Sequence, residues 1–190
     1  MTLRVLTSGQ ELAQHHLVPV DTFGKVRGGL RCGVLSPRYA GTLSEFCDNF
    51  VCGADDAAVL LAQVAEAIEY LHSVGLIHCD VKPSNVFLDN SRNSFLGDFG
   101  SLRHLDDTIE SYTPAFRIAD FWGVLGAKAT KQHDWGSFVI LGLVLLRKLH
   151  LSTSSPTLIE VAPVIDALRD DTSAACVILV KCWDEKVYLA

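Results

Sequence analysis

Apolar and polar residues follow different rhythms along this chain. Between Asp55 and His72, Val59, Leu60, Val64, Ala67, Ile68 and Leu71 recur every three or four positions. That stripe predicts an amphipathic helix opened by Asp55 and Asp56. Asp134–Lys148 predicts another kind of helix. Phe138 to Leu146 is apolar all round, so this helix has no solvent face and must sit centrally. Leu43–Phe50 reads as a short helix, and Thr157–Arg169 and Ala174–Asp184 as further helices. Strand signals are few and early. Leu17–Phe23 and Leu30–Leu35 are short apolar runs parted by Gly24, Gly28 and Gly29, which predicts a hairpin with Lys25 in its turn. Val86–Leu88 and Phe95–Leu96 flank the polar Asn90–Asn93 and predict a second hairpin. Gly75 closes the connection after the long helix, residues 101–133 look irregular, and Ser152–Thr157 reads as a loop. The pattern is that of an α+β protein, mainly α.

With 190 residues and 49% hydrophobic content, the chain can bury one real core. A formal charge of −6 provides no basic field, which argues against a nucleic-acid partner. Six cysteines without a C-x-x-C pair predict reduced, buried thiols in a cytoplasmic or nuclear protein. The opening MTLRVLTSGQELAQHH has no apolar run followed by a small-residue cleavage site, so no secretory signal is expected. The longest apolar stretch is far short of the ~20 residues a membrane span needs.

The chemistry gathers at residues 78–89, HCDVKPSNVFLD, and 97–100, GDFG. Asp80 can accept a proton, Lys82 can meet a phosphate, and Asn85 with Asp98 can hold Mg²⁺. Phosphoryl transfer needs little more, because its catalysis is mostly positioning and charge neutralisation. The order D-x-K-x-x-N, with Asp80 and Asp98 18 residues apart, resembles the catalytic and magnesium loops of the protein-kinase family. Lys82-Pro83 after Asp80-Val81 favours its Ser/Thr class. Taken alone, Asp80 also reads as a loop-capping residue and Asp98 as an Asx-turn residue before Gly100.

The resemblance runs over roughly 15–184 and implies the larger, helical kinase lobe. It implies ATP and Mg²⁺ as ligands and a protein as substrate or partner. Ser36, Pro37, Arg38 and Tyr39 lie in a hinge-like stretch and would meet an adenine, with Phe87 beneath it. His78 would pack on Phe99 as a structural residue. Thr113 to Asp120 resembles the T-P-x-Y-x-A-P-E end of the activation segment, with Thr113 able to bond Asp80 and Lys82. Asp134 would tie the backbone of the catalytic loop, and Cys182-Trp183 resembles a late helix motif. The implied division is a small-lobe remnant at 1–35, a hinge at 36–46 and a large lobe at 47–190. His15, His16, His72, His104 and His133 have no ligand spacing and read as ordinary. Asp106, Asp107, Asp170 and Asp171 read as solvated. Phe121 and Trp122 read as core or, if exposed, as a docking pair.

The departures carry equal weight. The chain has no G-x-G-x-x-G and no V-A-I-K, Cys79 stands where the family has an arginine, and the A-P-E position reads Ile118-Ala119-Asp120. Lys25 and Glu11 are poor substitutes for the family's lysine–glutamate pair. The expected activity is a weak or absent phosphotransfer to protein hydroxyls. A non-catalytic pseudokinase scaffold and a truncated fragment of an active kinase are the alternatives. An intracellular location is expected. So is self-association through apolar surface at Leu30–Leu35 and Val86–Leu88, which a small lobe would cover.

Overall fold

The computed structural model describes residues 9–20, 22–25, 32–49, 51–110, 113–122, 127–150 and 154–188; residues 22–25, 32–35, 121, 122 and 188 are described as backbone only. The fold is α+β and mainly helical. Its centre is α5 (Lys131–Leu145), in which every residue from His133 to Leu143 is buried. Around it pack α3 (Ala54–Ser73), α7 (Ala174–Cys182) and the π-helical turn Trp183–Tyr188. Phe138 is fully buried at this junction; truncating such a side chain to alanine costs roughly 3–5 kcal/mol. At Gly142 α5 and α7 lie close, since a Cβ there would lie 2.4 Å from Leu179 Cδ2.

The helix α5 begins a turn earlier than its apolar run suggests. Thr130 is its N-cap, and its backbone N–H donates to His133 Nδ1 at 3.0 Å. Asp134 is therefore a first-turn residue and not a cap. His133, expected to be ordinary, is half of this capping arrangement. The long helix α3 buries its predicted stripe except for Val59, which is exposed because Leu60 and Leu61 carry the buried face there, and it ends at Gly75, whose φ is +77°. The helix α6 (Leu158–Asp166) is capped by Thr157, whose hydroxyl accepts from the Glu160 N–H.

Among the described residues there are three small antiparallel sheets. Strand β1 (Thr22–Lys25) pairs with β2 (Cys32–Leu35), Lys25 opposite Cys32. Lys25 thus ends a strand and does not lie in a turn. Leu17 is not part of that strand. It is fully buried and bridges Leu96 in parallel, while Val18 N–H donates to the Leu96 carbonyl at 2.9 Å. A short helix, α1 (Gly9–Gln14), precedes it; one buried residue, Leu12, is too faint a pattern to announce a helix. Strand β3 (Gly41–Thr42) leads into α2 (Leu43–Asn49) and pairs with β5 (Val86–Leu88), which pairs in turn with β6 (Ser94–Leu96). Strand β4 (Leu76–Ile77) pairs with β7 (Arg103–His104). So the region expected to be irregular holds β7, a 3₁₀ turn at Pro114–Phe116 and α4 (Ala119–Trp122). The side chains of Phe121 and Trp122 lie outside the described residues, as do those of Leu30–Leu35.

The apolar surface expected at Val86–Leu88 is corrected. In β5, Val86 and Leu88 point into the core, and only Phe87 faces outward, half-buried. Strand alternation explains this: three consecutive residues cannot share one face.

Candidate active site

Asp134 organises the site from beneath. Its carboxylate is wholly buried: Oδ2 accepts from the His78 backbone N–H at 2.8 Å and Oδ1 from the Cys79 N–H at 2.8 Å. His72 Nε2 donates to the same Oδ2 at 2.9 Å. A buried carboxylate is tolerated only when so partnered. His72, read as ordinary, is thus a member of the site's support. Its signal was available, since it falls on the buried stripe of α3, four residues after Ile68.

From this anchor the chain turns through Cys79 at φ +65°. His78 is buried, with Nε2 donating to the Gly97 carbonyl at 2.9 Å and Nδ1 accepting from the Asp80 N–H at 3.3 Å. Its ring meets Phe99 edge-on at 6.1 Å. Both ring nitrogens are therefore occupied as struts between the two loops.

Asp80, Lys82, Asn85 and Thr113 come together. Lys82 Nζ donates to Asp80 Oδ2 at 2.6 Å and to Thr113 Oγ1 at 2.8 Å. Asn85 Nδ2 donates to the Asp80 carbonyl at 2.9 Å and to Oδ2 at 3.1 Å. Burial works against ionisation of Asp80. Hydrogen bonds from Lys82 and Thr113, the Lys82 charge and the Asn85 amide outweigh it and hold the carboxyl below its ordinary value. This is a carboxylate kept ionised beside a lysine, able to orient a hydroxyl and take its proton.

The second loop is locked to the first by Gly97, whose N–H donates to the Asn85 carbonyl at 2.9 Å. Asp98 follows in the left-handed region, φ 58° and ψ 71°, where aspartate is among the better-tolerated residues. Its carboxylate is exposed and bonds no other described residue. Gly100 follows within the 3₁₀ turn Phe99–Ser101. Asn85 and Asp98 offer oxygen donors of the kind Mg²⁺ takes. Among the described residues no group of three or more His, Cys, Asp or Glu could hold a metal ion. Any Mg²⁺ here would complete its shell with water and phosphate oxygens.

The hinge-like residues are less gathered. Ser36, Pro37 and Arg38 are exposed. Tyr39 packs its ring on Phe87 at 5.5 Å and Phe95 at 5.3 Å, so it shares the outward aromatic face of β5 and β6. Asp120 lies at the start of α4. Its Oδ2 accepts from the Leu158 N–H at 2.7 Å and seats the start of α6.

Comparison with known proteins gives the family. The family model described as protein kinase domain matches residues 34–154. A probable serine/threonine-protein kinase of Dictyostelium discoideum is 29% identical over 136 residues, covering 69% of this chain and 8% of that protein. The interferon-induced, double-stranded RNA-activated protein kinase of Rattus norvegicus is 30% identical over 128 residues, 63% of this chain and 24% of that protein. The 3-phosphoinositide-dependent protein kinase 1 of Arabidopsis thaliana is 43% identical over 60 residues, 32% of this chain and 12% of its own length. The chain therefore spans less than a quarter of the length of these relatives. The fold is a mainly helical α+β domain, and the family model covers more than half of the chain. The chain belongs to the protein kinase domain family, and its relatives include Ser/Thr kinases.

Proposed function

We propose that this chain is a Ser/Thr-type kinase domain whose 190 residues, by themselves, transfer phosphoryl groups to protein hydroxyls weakly or not at all. One observation carries the reading. Lys82 joins the ionised Asp80 to Thr113, which places a proton acceptor, a cation and an acceptor-site residue in one hydrogen-bonded unit. Asp80 orients the acceptor hydroxyl and receives its proton. Lys82 keeps Asp80 ionised and presents an ammonium to the transferring phosphate. Asn85 and Asp98 would hold Mg²⁺, which when bound neutralises phosphate charge. Phe87, with Ser36, Pro37, Arg38 and Tyr39 along its rim, would receive an adenine. His78, Phe99, Gly100, Asp120 and Asp134 hold these parts in register.

Weakness is proposed because no Gly-rich loop and no V-A-I-K lysine occur in these residues. Loss of such a charge clamp lowers rate by about 10²–10⁴. We read 1–35 as part of a small lobe, 36–46 as hinge and 47–190 as large lobe, in an intracellular protein that acts on or partners another protein. Self-association is proposed through Leu30–Leu35 alone, since Val86 and Leu88 point into the core. The second reading, a non-catalytic scaffold, is favoured by Tyr39 resting on Phe87, where an adenine would lie. A chain that is a piece of a longer, active kinase is the third. No helix among the described residues is long and apolar enough to cross a membrane.

The deciding experiment is nucleotide binding to the purified chain with and without Mg²⁺. The expected result is Mg²⁺-dependent ATP binding at ~0.1–1 mM, abolished in Asp98→Ala. Any phosphoryl transfer should vanish in Asp80→Asn. Retained transfer in that variant would overturn the role of Asp80. Absent binding would favour the scaffold.

A further inference from the structure

One aromatic contact lies where the proposed nucleotide site needs open space. Phe87 and Phe95 are cross-strand partners in the β5–β6 hairpin and share its outward face. The Tyr39 ring lies against both, with centroids 5.5 Å and 5.3 Å away and interplanar angles of 45° and 51°. All three rings are half-buried. The two sides of this contact are not equally movable. Phe87 is held from behind, because a Cβ on Gly97 would lie 2.9 Å from its Cε2 and 2.6 Å from Val18 Cγ2, which leaves the ring no room to retreat. Phe95 is flanked by the His16 ring, 5.6 Å between centroids. Tyr39, in contrast, follows three exposed residues, Ser36, Pro37 and Arg38. The backbone is pinned just beyond it, where Ala40 N–H donates to the Leu88 carbonyl at 2.8 Å. A rotamer change at Tyr39 therefore moves the ring and leaves the backbone in place.

We propose that Tyr39 is a self-stacking gate: its ring covers the aromatic floor at Phe87 in the empty protein and swings out before an adenine base stacks there. The inference rests on the nucleotide reading above. A tilted ring pair is a modest contact, and a base laid flat on an aromatic side chain gains at least as much, so the exchange is within reach of a nucleotide. The gate acts as a tax on affinity, because only the molecules whose ring is out are competent to bind. It bears on the base and not on the phosphates. Asp80, Lys82 and Asn85 bond one another and Thr113, and Tyr39 has no part in that unit. The ring that favours a scaffold when taken as fixed thus becomes, when taken as movable, the element that shuts an unfilled site.

The test is calorimetric binding of ATP with Mg²⁺ to the full chain and to Tyr39→Ala, with NMR contacts between the Tyr39 and Phe87 ring protons followed on the same samples. Tyr39→Ala should bind ATP about 3- to 10-fold more tightly. Phe95→Leu, which removes the second ring that holds Tyr39, should tighten binding about twofold. Saturating ATP should abolish the Tyr39–Phe87 proton contacts of the wild type and replace them with contacts from the adenine protons to Phe87. Binding that Tyr39→Ala shows and the wild type lacks would support the gate as one fully shut. Weaker or unchanged binding in Tyr39→Ala, or Tyr39–Phe87 contacts that survive saturation, would overturn the gate; Mg²⁺-dependent binding lost in Asp98→Ala would then still uphold the nucleotide site. Absence of ATP binding in both chains would end the gate and the nucleotide reading together.

Discussion

Two stretches meet at Asp80 and are held in opposite ways. The loop from His78 to Asn85 hangs from a carboxylate with no solvent exposure, and its polar atoms find partners inside the protein. The segment from Thr113 to Asp120 is fastened from the side. Arg117 Nε donates to Ser155 Oγ at 2.9 Å, Ala119 N–H to the Pro156 carbonyl at 2.8 Å, and Thr113 accepts from Lys82. Among the described residues of that segment, Ile118 alone is buried. The first stretch is mostly buried, Ser84 being its exposed residue. The second is half-wet, and its contacts can be exchanged for water at small cost. A carboxylate fixed from below beside a segment fastened from the flank suits the phosphotransfer proposed above.

That contrast can be broken most severely at Asp134. Asp134→Ala strands two backbone N–H groups and a histidine in the interior, and should lower unfolding free energy by about 3–5 kcal/mol, read from urea denaturation. A loss below about 1 kcal/mol would mean that the loop does not hang from this carboxylate. Next in size is the support under it. Gly142→Ala drives a methyl into Leu179 and should cost about 1–3 kcal/mol, with Leu179→Ala in the same chain recovering part of the loss. On the adjustable side, Thr157→Ala removes the α6 cap and should cost about 1 kcal/mol, with the near-ultraviolet signal of the buried Trp135 unchanged. Smallest is Lys82→Met. The folded Asp80 carboxyl lies below its ordinary value, so the pair stabilises the fold above that value and the contribution is lost as pH falls through the lower, folded one. Wild type and Lys82→Met should therefore differ by under about 1 kcal/mol at pH 7 and converge below about pH 4. A difference growing on acidification would reverse the sign assigned to Asp80.

Much of this was readable in the residues because it rests on local repetition. The stripe of α3, the all-apolar run of α5 and the Asn90–Asn93 turn each act within a few positions. The unit of Asp80, Lys82 and Asn85 was likewise contained in six residues. What escaped was non-local or conformational. His72 serves the site only because α5 brings Asp134 beneath it, 62 residues further on. The left-handed turn at Cys79 has no glycine or asparagine to announce it. Leu17 looked like strand because it is apolar; its actual partner, Leu96, becomes its neighbour only after the helices close. The start of α5 was misplaced because Thr130 with His133 is an uncommon capping pair.

Gly97 has a wider consequence. A Cβ at that position would come within 2.6 Å of Val18 Cγ2 and 2.9 Å of Phe87 Cε2. The side chains at 18, 87 and 97 therefore share one fixed volume, drawn from the segment after α1 and from the β5–β6 hairpin. A larger group at 97 must be answered by a smaller one at 87 or 18. Through descent, these three positions should change as a set, so that the depth of the aromatic face at Phe87 is inherited as a single trait.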